Sequence, residues 1–291
     1  MKPRCLRAIA SRALLRPAAG VVLILICALA VLARGEGQNP FGLPLAAEEA
    51  ENFLRTARVI GRQPLSSGVT HPERFTLTDG TRTADAVWKT VDEHELGMKR
   101  MQNGSWQFDF RDSWKSEVAA YELGKLLHLG LVPPTVEREV DGRTGSLQIW
   151  VEGVMTEKER QEHGLKPEGP GQIRRWSEQI HGVRLFHQLT YNADFQNIAN
   201  ILVDPDFGIY LIDSSRAFRI QKNLLAPDDL VRFSRTTLGH LRTLDRPLVE
   251  KRLGRWLDGM QIDGLLERRA RVLTLVRVRL VERGPGKVLF Y

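Results

Sequence analysis

Residues 191–218 read YNADFQNIANILVDPDFGIYLIDSSRAF. Two short apolar runs, Ile201–Val203 and Ile209–Ile212, flank Asp204-Pro205-Asp206-Phe207-Gly208, a stretch of ordinary turn residues. The spacing predicts a tight hairpin. Asp194 and Asn200 precede it, and Asp213 directly follows its second strand. Strand ends project side chains into clefts with little freedom, so three oxygen-bearing groups are aimed at one place.

Working outward, Trp176–Tyr191 reads as a long helix, after a charged, Gly- and Pro-rich loop over 156–172. Thr135–Val140 and Ser146–Val151 flank Asp141-Gly142, a hairpin signature. Ser116–Leu129 carries Ala119, Ala120, Leu123, Leu126 and Leu127 as one apolar stripe at helical spacing. Asp112 or Ser113 caps its start, and Gly130 with Pro133-Pro134 stops it. Residues 92–115 are polar and read as a long irregular connection. Phe75 and Leu77 alternate into Asp79-Gly80 and out through Ala84, Ala86 and Trp88, a second hairpin. A short helix is expected over Glu48–Val59. Beyond Pro227 the pattern is helical, with Leu230, Phe233, Leu238, Leu241, Leu244, Leu248, Leu253, Trp256, Leu265 and Leu266 as core. The fold class is therefore α+β, sheet-rich in its N-terminal half and helix-rich in its C-terminal half.

Two carboxylates and an amide around a hairpin suit phosphoryl transfer. That reaction needs a carboxylate to orient the attacking hydroxyl, oxygen ligands for Mg²⁺, and a lysine to neutralise phosphate charge. The pattern Asn192-x-Asp194, Asn200-Ile-Leu-Val-Asp204, Ile212-Asp213 and Ala217-Phe218 resembles the atypical kinases that join HipA-like kinases, phosphatidylinositol 3-/4-kinases and secretory casein kinases. It is most similar to uncharacterised exported bacterial members of that group. GVTHPERFTLTDGTRTADAVWKTVD, SEVAAYELGKLLHLGLVPPTVER and GSLQIWVEG extend the resemblance over roughly residues 60–291.

The resemblance implies a two-lobed kinase-like fold, with residues 60–153 as the N-lobe and 154–291 as the C-lobe. It implies Lys89 as the phosphate-binding lysine and Glu117 as its partner or as an aid to the metal, with Glu122 as the competitor. Trp150–Gly153, including Val151, becomes the linker that meets adenine, and Gly68 belongs to the loop over the phosphates. Asp194 becomes the catalytic carboxylate, with Asn200 and Asp213 as metal ligands. ATP and Mg²⁺ are the implied cofactors, and a hydroxyl of a protein, lipid or glycan the implied acceptor. The Asp206-Phe207-Gly208 triplet spells the protein-kinase metal motif, yet its place between two strands makes it a turn. Three departures point to the alternative, a catalytically impaired pseudokinase that binds a nucleotide or a partner. Asn200 lies six residues after Asp194 where kinases use five, leaving Asn197 as a second candidate. Phe195 stands where relatives often have Arg, and Ser214-Ser215 replaces a His-containing pair.

The chain of 291 residues has a net charge of +7, which suggests nucleic acid until it is located. Lys2, Arg4, Arg7, Arg12 and Arg16 lie in residues 1–33 without an acid, and setting them aside leaves 37 basic against 35 acidic residues. No nucleic-acid partner is expected. The basic stretch precedes Val21–Ala33, thirteen apolar residues, which read as a cleaved signal or an uncleaved membrane anchor. Residues 34–59 form a tether, and the rest is expected to be exported. Both cysteines, Cys5 and Cys27, fall in the leader, so no disulfide or thiolate metal site is expected beyond it.

Overall fold

The computed structural model describes residues 47–65, 71–101 and 104–291. The leader, most of the tether and Gly68 lie outside the described residues. Among those described, no helix is long and apolar enough to cross a membrane.

The first half is built on a five-stranded antiparallel sheet. Its strands are β1 (Arg58–Pro64), β2 (Glu73–Thr78), β3 (Thr83–Lys89), β6 (Thr135–Val140) and β7 (Arg143–Ile149), in the order β1-β2-β3-β7-β6. Asp79-Gly80 and Asp141-Gly142 turn the two hairpins, with Gly80, Asp141 and Gly142 at positive φ. Phe75, Leu77, Ala86, Trp88, Val136 and Leu147 all point to one buried face, where Phe75 stacks on Trp88 at 5.6 Å. Helix α1 (Ala47–Thr56) closes that core with Ala50, Phe53 and Leu54. The tether thus ends earlier than its composition suggests: a helix and the strand β1 occupy 47–64.

One residue on this sheet is dictated by space. A Cβ on Gly145 would collide with the Lys89 carbonyl and press on the Trp88 ring and the Thr90 methyl at 3.0 Å. Gly145→Ala should therefore cost about 1–3 kcal/mol, the usual penalty of overpacking. A lowered denaturation midpoint with an unchanged denaturant slope is the expected signature.

The described residues of the 92–115 segment are largely regular. They form a two-stranded hairpin, β4 (Asp92–Arg100) and β5 (Trp106–Ser113), with a bulge between Glu95 and Met98. Helix α2 (Trp114–Leu126) follows at once. Ser113 caps it by accepting from the Lys115 amide, so it starts two residues before the expected Ser116 and ends three before Leu129. The charged 156–172 segment also holds structure: β8 (Met155–Thr156) and α3 (Glu157–Glu162), opened by a reciprocal Thr156–Glu159 capping box.

Helix α4 spans Gly169–Thr190, longer than expected at its start because Pro170 is tolerated in a first turn. Strands β9 (Ile201–Val203) and β10 (Ile209–Leu211) pair antiparallel, with β8 on the other side of β9. Helices α5 (Arg235–Thr243), α6 (Arg246–Leu253), α7 (Gly259–Arg283) and α8 (Pro285–Val288) complete the helical half. It is not wholly helical: β11 (Phe233–Ser234) pairs parallel with β12 (Leu289–Phe290). Phe186, Leu189, Leu211, Phe218, Leu238, Leu241, Leu253 and Leu265 are among its buried core, and α2 contributes Ala120 and Leu123. Leu248, Trp256 and Leu266 are only partly buried there.

A candidate nucleotide cleft

A cavity of about 740 Å³ opens between the large sheet and the β8–β9–β10 sheet. Its lining includes Lys89, Trp150, Val151, Gly153, Asn200 and Asp213. Its size lies inside the range of small-molecule sites.

Lys89 sits at the end of β3, and its ammonium donates to Glu117 at 2.5 Å and to Asp213 at 2.7 Å. Residues 28 and 124 positions away in the chain meet on one side chain. Glu117 is buried at the start of α2 and is not among the residues lining the cavity. Its second oxygen accepts from the Ser214 amide at 2.9 Å. Glu122, the competing acid, is turned elsewhere, to Lys125 and Arg252, both at 2.7 Å.

These contacts set the charges. Burial alone would lower the Lys89 ammonium, but the Glu117 and Asp213 carboxylates outweigh it and hold Lys89 above its ordinary value. Burial raises Glu117, helped by the charge of Asp213 against the pull of Lys89. Enclosure pushes Asp213 up, yet Lys89 pulls harder, leaving it below the usual carboxylate range. Asp213 is thus a persistent anion whose side chain is half-exposed to the cleft. Its backbone is left-handed, with φ 57, an arrangement tolerated by Asp and concentrated at functional positions.

Asn200 is fixed beside Asp213 because the Ile212 amide donates to its carbonyl at 3.0 Å. The Asn197 amide group donates to the Asn200 side-chain oxygen at 3.3 Å, and Asn197 also lines the cleft. The extra residue after Asp194 is taken up in a short 3₁₀ turn, Ile198–Asn200, capped by Asn197. Asp206 is an exposed turn residue outside the cleft lining; its amide and that of Gly208 donate to Asp204.

Asp194 does not line the large cavity. It borders a small adjoining one with His187, Asn192, Asn197 and Asn200. Arg216, for which the sequence offers no role, holds both its oxygens from one nitrogen at 3.0 and 3.1 Å. The other terminal nitrogen of Arg216 donates to Gln107 on β5 at 2.8 Å. Asp112 does not cap α2, a role that Ser113 fills. Its side chain is pushed up by burial, and the nearby Asp213 charge adds to the shift.

The Trp150–Gly153 stretch is held by its neighbours. The Trp150 amide donates to the Asp85 carbonyl at 2.9 Å, and the Arg74 guanidinium lies 4.2 Å above the Trp150 ring. Arg74 also donates to Asp85 and Glu152, so its charge is spent on the wall of the cleft.

Burial pushes the His187 imidazole down to about 4 from 6.5. A base kept neutral by the fold is protonated first in the unfolded chain, so stability is intact above pH 6.5 and falls as pH drops toward 4. The shift corresponds to about 3 kcal/mol over that window. His187→Gln should flatten the decline of melting temperature between neutral and acid pH. An unchanged slope would contradict this assignment.

No family model matches the chain, and no curated protein is similar to it in sequence. Solved structures are similar in fold. A Golgi casein kinase matches with a TM-score of 0.55 and 13% identity, over 84% of this chain and 77% of that one. The fold is therefore similar to that of a kinase, a sheet-rich part followed by a helical part.

Proposed function

We propose that this chain is an ATP–Mg²⁺-dependent phosphotransferase of atypical kinase type, acting on a hydroxyl of a protein, lipid or glycan. One observation carries the reading: Lys89 and Asp213, far apart in the chain, meet at the lining of a cavity of nucleotide size, with the buried Glu117 as the second partner of Lys89. The residues present fit the cofactor. Mg²⁺ is normally held by one or two carboxylates together with substrate phosphates. Asp213 and Asn200 supply two oxygen donors in one cleft, while Lys89 supplies the cation phosphates require. Bound Mg²⁺ would neutralise charge developing on the transferred phosphoryl group. Trp150–Gly153 would hold the base, and Asp194 would take the proton of the attacking hydroxyl as the oxygen–phosphorus bond forms and ADP leaves.

The Asp194–Arg216 pair favours a second reading, because a catalytic carboxylate already held at both oxygens is poorly free to accept a hydroxyl. In that reading the chain is a nucleotide- or partner-binding pseudokinase of the cell envelope. The leader supports export with membrane attachment or release, the basic flank remaining inside. A Mg²⁺-dependent ATP turnover assay separates the two. Asp194→Ala should lower turnover by about 10²–10⁴-fold if Asp194 is the general base. Equal background turnover in wild type and variant, with nucleotide still stabilising the fold, selects the pseudokinase.

A further inference from the structure

The β4–β5 hairpin turns an apolar face to solvent. Leu96, Met98, Trp106 and Phe108 are 71%, 57%, 61% and 47% exposed. Met98 lies opposite Phe108 and Arg100 opposite Trp106 in the register, so these four side chains share one face. Asp109, at φ 51, interrupts the alternation of β5, and Phe110 turns inward to be buried. Gln107, on the other face from Phe108, reaches Arg216. The hairpin therefore has an inner face that reaches Arg216 and an outer face whose apolar side chains are exposed to solvent.

Its charges are layered. From Leu96 to Phe108 there is no Asp or Glu, while Lys99 and Arg100 are present. The acids Asp92, Glu93, Glu95, Asp109 and Asp112 all lie toward the base of the hairpin. Lys99 leans back toward Glu93 and Glu95 at 3.6 and 3.4 Å, while Arg100 is exposed beside Trp106. A lipid interface demands this order: aliphatic and aromatic groups at the acyl boundary, Trp and Arg among the headgroups, carboxylates in water. Soluble surfaces seldom gather such residues without a partner.

We infer that the outer face of the β4–β5 hairpin is a membrane-contact element, seating Met98, Trp106 and Phe108 in the headgroup region of an anionic bilayer. Through Gln107 and Arg216 the same hairpin would bring the Asp194 side of the cleft to the lipid surface. This inference does not depend on phosphoryl transfer.

The test uses the full chain with Cys5→Ser and Cys27→Ser, carrying an environment-sensitive fluorophore at Met98→Cys. Val281→Cys, at a position 88% exposed on α7, is the control. The probes are phosphatidylcholine vesicles and an equal mixture of phosphatidylcholine and phosphatidylglycerol. A blue-shifted emission at position 98 but not 281, larger with phosphatidylglycerol, is expected. Adding Trp106→Ser and Phe108→Ser should weaken the response about tenfold or more, since each removes an inserted ring. A chain that floats with the vesicles while position 98 stays unshifted keeps the leader reading and overturns the hairpin. One that does not float overturns both. Equal shifts at both positions, or a shift that grows with protein concentration in detergent without lipid, also overturn it, the latter in favour of a second copy of the chain.

Discussion

Lys89→Met is expected to lower folding stability by about 3–5 kcal/mol, the usual cost of removing one member of a buried ion pair. The reason is Glu117. It is buried at the start of α2, with Lys89 at 2.5 Å and the Ser214 amide as its partners. Without the ammonium, that carboxylate escapes the penalty only by taking up a proton. Its pKa is already raised by burial, and the variant removes the one charge that opposes the shift. A carboxylate with a raised folded-state value binds its proton more tightly in the fold than in the unfolded chain. The Lys89→Met defect should therefore be mild in acid and deepen as pH rises toward neutrality. Chemical denaturation at two pH values checks this. Lys89→Met combined with Glu117→Leu should recover most of the loss, because replacing both members of a buried pair is often neutral.

Asp213→Asn should behave in the opposite way. Lys89 keeps Glu117 as its counter-ion, and the Asp213 side chain is half-exposed to the cleft, so the fold should lose little. The loss falls on the nucleotide. Truncating one member of a close charge pair costs about 2–5 kcal/mol in binding, which is between one and four orders of magnitude in affinity. Competent folding with lost nucleotide binding separates Asp213 from Lys89, whose removal damages both. Equal stability losses in the two variants would mean that the trio is structural.

Much of the scaffold can be read from single residues. Asp79-Gly80 and Asp141-Gly142 mark hairpins because only certain residues accept a left-handed turn, and a buried sheet face forces Phe75, Leu77, Ala86 and Trp88 into alternation. The β4–β5 hairpin escapes that logic. Its apolar side chains face solvent as often as core, and the irregularities at Glu95–Met98 and Asp109 break the period of two. Helix α3 is too short and polar for periodicity, and only the Thr156–Glu159 box betrays it. In the site, Lys89 and Asp213 owe their candidacy to strand ends and order along the chain. Arg216 offered no such cue. A charged residue three positions after Asp213 gains meaning only when the fold sets it against Asp194 and Gln107.

Calorimetric titration of the full chain with ATP, in Mg²⁺ and again in chelator, tests the cleft most directly when wild type and Asp213→Asn are run side by side. Saturable binding that requires Mg²⁺ in the wild type and disappears in Asp213→Asn is the predicted result. Binding indifferent to the metal, or equal in both chains, would contradict the assignment of Lys89, Asn200 and Asp213 to a metal–nucleotide site.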